Sequence, residues 1–129
     1  MATAGQIVHH TNEFQTYTSG AAITKGNLVA LNNAGRVITA TASTNNVIGV
    51  ARETVTAAGQ ELLVASGYLE VYLVAGGAVT AGAILEAVDN GRVDDTTAGA
   101  CQKIGVAMEA ASSAGDVIKC IVNLPRFGA

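Results

Sequence analysis

The side chains that could do chemistry in this sequence are few, and their spacing is poor for it. His9 and His10 are the only histidines and they are adjacent. Neighbours on a strand point to opposite faces, so they make a poor chelating pair and fit a solvent or interface role better than a metal site. Glu53 and Glu109 could form a carboxylate pair for acid–base work if their surroundings split their pKa values. Gly35-Arg36 and Gly91-Arg92 could each meet an anion, although an Arg after a turn more often blunts a strand edge. Asp89, Asp94 and Asp95 form a small acidic cluster that lacks the spaced ligands and closing Glu of a calcium loop, so it reads as solvated loop. Cys101 and Cys120 have no metal-ligand spacing, and Cys120 reads as a small buried hydrophobe, not half of a disulfide. Phosphate loops, nucleophile elbows, dinucleotide fingerprints and Cys–His pairs are all missing. The sequence predicts no enzyme, no cofactor and no metal.

The residues that repeat tell more than the residues that react. Ile48-Gly49-Val50-Ala51-Arg52-Glu53 returns as Ile104-Gly105-Val106-Ala107-Met108-Glu109. Thr24-Lys25-Gly26 returns as Thr80-Ala81-Gly82, Gly35-Arg36-Val37 as Gly91-Arg92-Val93, and Ala58-Gly59 as Ala114-Gly115. Every pair has the same offset of 56 residues, and 14 of 43 aligned positions are identical without a gap. A fixed internal period reports a duplicated supersecondary unit. Two copies are too few for a solenoid, so the chain is read as two fused halves of one domain. Duplication also explains the Glu53/Glu109 pair as two equivalent surface or turn-anchoring groups. Glycine within each repeated strand points to a bulge or a close backbone approach.

The organisation that follows is an N-terminal arm over residues 1–22, a first repeat over 23–65, a connecting strand over 66–78, a second repeat over 79–121 and a C-terminal tail over 122–129. Strand signals fall at Gln6 to His10, Phe14 to Thr18, Leu28 to Leu31, Arg36 to Ala40, Val47 to Ala51, Glu61 to Val64, Ala83 to Leu85, Gln102 to Glu109 and Val117 to Leu124. The clearest is Tyr68 to Leu73, where Leu69, Val71 and Leu73 alternate with Tyr68, Glu70 and Tyr72, the pattern of a half-buried antiparallel strand. Its Tyr face is either solvated or a contact surface. Asn32-Asn33-Ala34-Gly35 and Asp89-Asn90-Gly91 are turns. Short strands with Gly, Asn and Asp between them, and no helical pattern, predict an all-β protein. The N-terminal segment is expected either to pack as an edge strand or to be an arm that orders on a partner.

Composition limits the partners. Half of the 129 residues are hydrophobic, Trp is absent, and charged residues are 13%, against about 25% in an average domain. A surface so poor in charge suits coverage by other subunits, although small neutral residues explain it equally well. A net charge of −3 without a Lys/Arg cluster argues against nucleic acid. The start carries no basic, apolar leader, and no apolar run approaches the ~20 residues of a membrane span. Synthesis in a cytoplasm is expected.

The order apolar-Thr-x-Gly, Gly-Arg-Val, Ile-Gly-Val-Ala-x-Glu and Ala-Gly resembles the capsid cement or decoration proteins of tailed bacteriophages. The segments that carry it are Val79-Thr80-Ala81-Gly82, Gly91-Arg92-Val93, Gly105-Val106-Ala107 and Ala114-Gly115-Asp116, and the likeness extends over residues 20–124. It implies a small antiparallel β-barrel or β-tulip of the β-clip kind, related to the decoration protein of phage lambda. It also implies a trimer on the outside of an expanded capsid, clamping neighbouring major capsid subunits against internal DNA pressure. The family lends no catalytic residues. On this reading the arm residues Gln6, Ile7, Val8, His9 and His10 contact the capsid, and Tyr68, Glu70, Tyr72 and Phe127 contact neighbouring subunits. The partners are the major capsid protein and the chain itself, without nucleic acid or membrane, in a virion assembled in a bacterial cytoplasm. Two alternatives stay open: a β-clip module that binds a ligand such as a carbohydrate, and another head or tail structural component.

Overall fold

The computed structural model describes residues 3–10, 14–41, 46–95 and 102–125. Eleven strands make up almost all of its regular structure: β1 (Ile7–His10), β2 (Phe14–Thr18), β3 (Leu28–Leu31), β4 (Val37–Thr39), β5 (Val47–Ala51), β6 (Glu61–Ala65), β7 (Gly67–Val74), β8 (Ile84–Val88), β9 (Arg92–Asp95), β10 (Lys103–Ala107) and β11 (Val117–Leu124). They form two antiparallel sheets. One has the order β2-β6-β5-β3-β4 and the other β1-β7-β11-β10-β8-β9. Neither closes on itself, so the all-β expectation holds as two open sheets of the tulip or sandwich kind and not as a barrel. Cysteine 101 and phenylalanine 127 lie outside the described residues.

The offset of 56 carries over from sequence to topology. It maps β3, β4, β5 and β6 onto β8, β9, β10 and β11, and it also maps β2 onto β7. The two sheets then have the same five-strand order, and β1 is one extra edge strand on the second. The pairing of Ser19 with Val37 recurs as Ala75 with Val93, and that of Ile23 with Val55 recurs as Val79 with Ala111. The strand at Tyr68 to Leu73 is thus the first strand of the second unit as well as the link between the copies. Strand β9 corrects one expectation: Asp94 and Asp95 are not loop residues but pair with Glu86 and Leu85. As the edge strand of its sheet β9 leaves both Asp94 and Asp95 partly exposed, so acidic residues are compatible with it.

Why these residues form these strands is plain at the repeated Gly. A Cβ on Gly49 would overlap the carbonyl oxygen of Ala65, and one on Gly105 that of Ile121. Register shifts interrupt both copies here, between Val29 and Ala30 opposite β5 and between Lys103 and Gly105 on β10. Glycine permits the neighbouring backbone to come this close. At the tip of the β8–β9 hairpin Asn90 and Gly91 both take φ of 67°, the conformation that an Asn-Gly pair supplies most readily.

A first apolar cluster fills the second sheet with Leu69, Val71, Leu73, Ile118, Cys120 and Val122 and reaches into the first sheet at Leu28, Val47, Val50 and Ala65. A second cluster, with Ile23, Val29, Ile48, Leu62 and Val64, belongs to the first unit alone. The N-terminal segment, open between edge strand and arm in the sequence, is paired on its own chain. β1 lies antiparallel to β7, and the amide of Gly5 donates to the carbonyl of Tyr72 at 2.7 Å. The guanidinium of Arg52 donates to the carbonyl of Gly5 at 2.6 Å.

Candidate functional site

Titratable side chains here do structural work. The carboxylate of Glu53 accepts the amide of Leu63 at 2.6 Å, and that of Glu109 accepts the amide of Lys119 at 2.8 Å. These are equivalent bonds in the two units, so the pair anchors turns as duplication suggested. The carboxylate of Asp116 accepts the amides of Ser112 and Ser113 and the Ser112 hydroxyl. Those bonds, the Ser112 amide first, hold its pKa below the usual 3.8. Gln60 stands at the matching position and accepts the amides of Thr56 and Ala57 with its neutral oxygen. Arg92 donates to the carbonyl of Asp89 at 3.1 Å, which ties the guanidinium to its own turn. Cys120 is free and buried where Val64 stands in the first unit, and desolvation, with Glu109 adding to it, pushes its thiol up to about 12. A thiol so high stays protonated and inert at neutral pH.

Among the described residues no group of His, Cys, Asp and Glu side chains is placed to hold a metal, and no concave pocket opens at the surface. No helix among them is long and apolar enough to cross a membrane, which says nothing of β-barrels.

What the fold does build is a face. Tyr68, Glu70 and Tyr72 are half-buried on the outer side of β7, while Leu69, Val71 and Leu73 between them are fully buried. Their partners on β11 are Asn123, Ile121 and Lys119 in turn. From Ile121 the row continues to Val106 on β10 and Ile84 on β8. Val106 is 40% exposed, Ile84 52%, and Met108, beside Lys119 at the end of β10, 42%. An apolar strip thus joins the tyrosine face that the sequence singled out. On the far side of β7 lies β1, where His9 pairs with Glu70 and His10 with Leu69. Gln6 precedes it, exposed, and its carbonyl accepts the amide of Tyr72 at 2.9 Å. The expected arm residues and the contact residues Tyr68, Glu70 and Tyr72, read as separate sites, are therefore neighbours on one sheet.

Sequence reasoning missed Ile84, Val106, Ile121 and Met108. Their apolar character was visible, and alternation along β11 sets Ile121 with Lys119 and Asn123 opposite Ile118, Cys120 and Val122, but nothing local marked Ile84, Val106 and Met108 as outward-facing. It also missed Gln102, whose fully buried carboxamide accepts the amide of Val47 at 2.9 Å and donates to its carbonyl at 3.3 Å. That side chain replaces a strand at the junction of the two units.

The arrangement among the described residues is one of contact surfaces, and comparison with known proteins points to a family that works through such surfaces. The profile of the family described as phage cement protein matches residues 2–66 and, a second time, residues 48–124. The chain belongs to the phage cement protein family. That makes it a structural protein of a phage capsid. The double match follows the internal duplication. No curated protein matches the chain. Among solved structures, the crystal structure of the head fiber gp8.5 N base in bacteriophage phi29 is similar at 17% sequence identity, with a TM-score of 0.66, over 88% of this chain and 98% of that one. At that identity the likeness speaks for the fold, which this cement protein shares with the head fiber base.

Proposed function

We propose that the protein binds the outer surface of an expanded phage capsid and stabilises it by clamping neighbouring major capsid subunits, as a homotrimer assembled in the host cytoplasm. The observation that carries this reading is the outer face of the second sheet, where Tyr68, Tyr72, Ile121, Val106 and Ile84 lie together on a chain with only 13% charged residues. Exposed apolar area of this kind is costly in water and gains when covered by protein. Beside it, β1 is the edge strand of its sheet, and its outer rim of N–H and C=O groups can take a strand of the coat protein by main-chain pairing. Gln6, Ile7, Val8, His9 and His10 then contact the capsid without leaving β7. Three copies acting together turn modest single contacts into firm attachment. The role is mechanical, needs no catalytic step, and has no partner in nucleic acid or membrane.

Sedimentation with purified shells tests this. The full chain is expected to pellet with expanded shells and not with unexpanded ones. A chain lacking residues 1–10, checked for folding by circular dichroism, is expected to stay in the supernatant. Equal binding to both shells, or undiminished binding by the folded truncation, would refute the reading.

A further inference from the structure

The duplication makes each unit a control for the other. In the first unit the row Leu28–Val50–Ala65 crosses β3, β5 and β6, and all three residues are fully buried. That row is buried in the apolar cluster it shares with the second unit, and further groups of the second unit meet β3 and β5 beside it. The amide of Gly91 donates to the carbonyl of Ala40 at 2.9 Å, and a Cβ on Gly91 would stand 2.7 Å from Cβ of Asn27 and 3.0 Å from the backbone of Leu28. Gln102 binds both backbone groups of Val47. In the second unit the equivalent row is Ile84–Val106–Ile121, and there Ile84 and Val106 are exposed.

The covering groups have counterparts too. Gly35 stands where Gly91 does and Asn46 where Gln102 does. Both are exposed, and a Cβ on Gly35 would meet nothing within 4 Å. Each molecule therefore has one occupied pair of surfaces inside it and one open pair: a receiving row on the second unit and a covering turn on the first.

We propose that the open pair meets between copies. The turn Asn33 to Arg36 of one molecule closes over Ile84 of the next, repeating between chains the contact that Gly91 makes with Asn27 and Leu28 within one. The occupant is a second copy because this chain already carries the turn that fits such a row. The contact is head-to-tail, and it closes into a ring where the rotation allows. It rests on the self-association proposed above and adds the surface through which it occurs.

The test starts from a Cys101→Ser, Cys120→Val background, since valine fills the Cys120 position in the first unit. Ala34→Cys and Ala83→Cys are added singly and together, and the protein is treated with a short bismaleimide in solution and on expanded shells. The double variant is expected to give a ladder of covalent oligomers, and each single variant no ladder. Ile84→Glu, with the milder Val106→Thr as a second variant and circular dichroism as the folding check, is expected to weaken self-association roughly tenfold or more. Light scattering that shows oligomers while cross-linking fails and Ile84→Glu changes nothing overturns the contact and leaves self-association standing. A chain that is monomeric in solution and on shells overturns both. Intact oligomers with shell binding lost in Ile84→Glu would assign the row to the coat protein and overturn the contact.

Discussion

Replacing Gln102 by Leu puts the junction of the two units to a quantitative test. The substitution keeps the volume and removes the carboxamide. The amide and carbonyl of Val47, a fully buried residue, lose the side chain that satisfies them. A buried backbone group left without its partner costs about 1–3 kcal/mol. The amide bond, at 2.9 Å, counts in full. The carbonyl bond, at 3.3 Å, is long and counts for less. Leucine also avoids the burial of a polar side chain, which offsets part of the loss. The net is a destabilisation of about 2–3 kcal/mol. For a chain of this length each kcal/mol lowers Tm by about 3–4 °C, so a drop of about 6–12 °C is expected. Urea denaturation followed by circular dichroism gives the free energy, with protein concentration held fixed because association would add to it. The m-value is expected to stay unchanged. Gln102→Glu adds a second reading. At neutral pH it buries a charge and lacks the donor to the Val47 carbonyl, so it is less stable than Gln102→Leu. Burial raises the carboxyl's pKa, and protonation restores a donor, so this variant recovers towards wild type as pH falls. A Gln102→Leu protein within about 0.5 kcal/mol of wild type would refute the reasoning, because the two bonds would then carry no net energy.

Gly49→Ala and Gly105→Ala are each expected to cost about 1–3 kcal/mol, since the new methyl meets a carbonyl oxygen of the adjoining strand in both units. Thermal melts measure this, and an innocuous substitution at either site refutes the close approach. For Asp116 the folded pKa is depressed, so its contribution is present above the unfolded value of 3.8 and lost as pH falls through the lower folded value. Asp116→Asn, an amide oxygen like that of Gln60, is expected to lack this acid limb; melts of both proteins with the same slope towards low pH would contradict it.

The strands with alternating or continuous β-rich sequence were legible, and so was the duplication. β2, β3, β5 and β11 end where composition and turn residues say they should. Two things were hidden. The equivalence of β2 and β7 leaves no trace in residue identity, since Phe14-Gln-Thr-Tyr-Thr18 and Glu70-Val-Tyr-Leu-Val74 match at no position, and only hydrogen bonding reveals it. β9 was hidden by its aspartates, because composition favours a loop there while pairing with β8 imposes a strand. The face was half legible. Alternation marked Tyr68, Glu70 and Tyr72, but Leu28 and Ile84 are apolar residues in equivalent places with opposite exposure. That difference comes from which unit covers which, and no local pattern encodes it.

The two units differ where one must hold the other and where one must stay free. Gln102 is long enough to reach across to Val47, whereas Asn46, one methylene shorter, turns back to the carbonyl of Leu31 at 2.6 Å within its own unit. Arg52 donates to Gly5 and lies over the Phe14 ring at 5.4 Å, fastening the N-terminal segment. Met108 occupies the matching place and extends the exposed row of Ile84 and Val106. A surface meant only for water would favour a polar or charged side chain at 108. An exposed thioether beside two exposed aliphatic side chains costs apolar hydration and returns nothing until a protein surface covers it, and a flexible Met suits packing against such a surface.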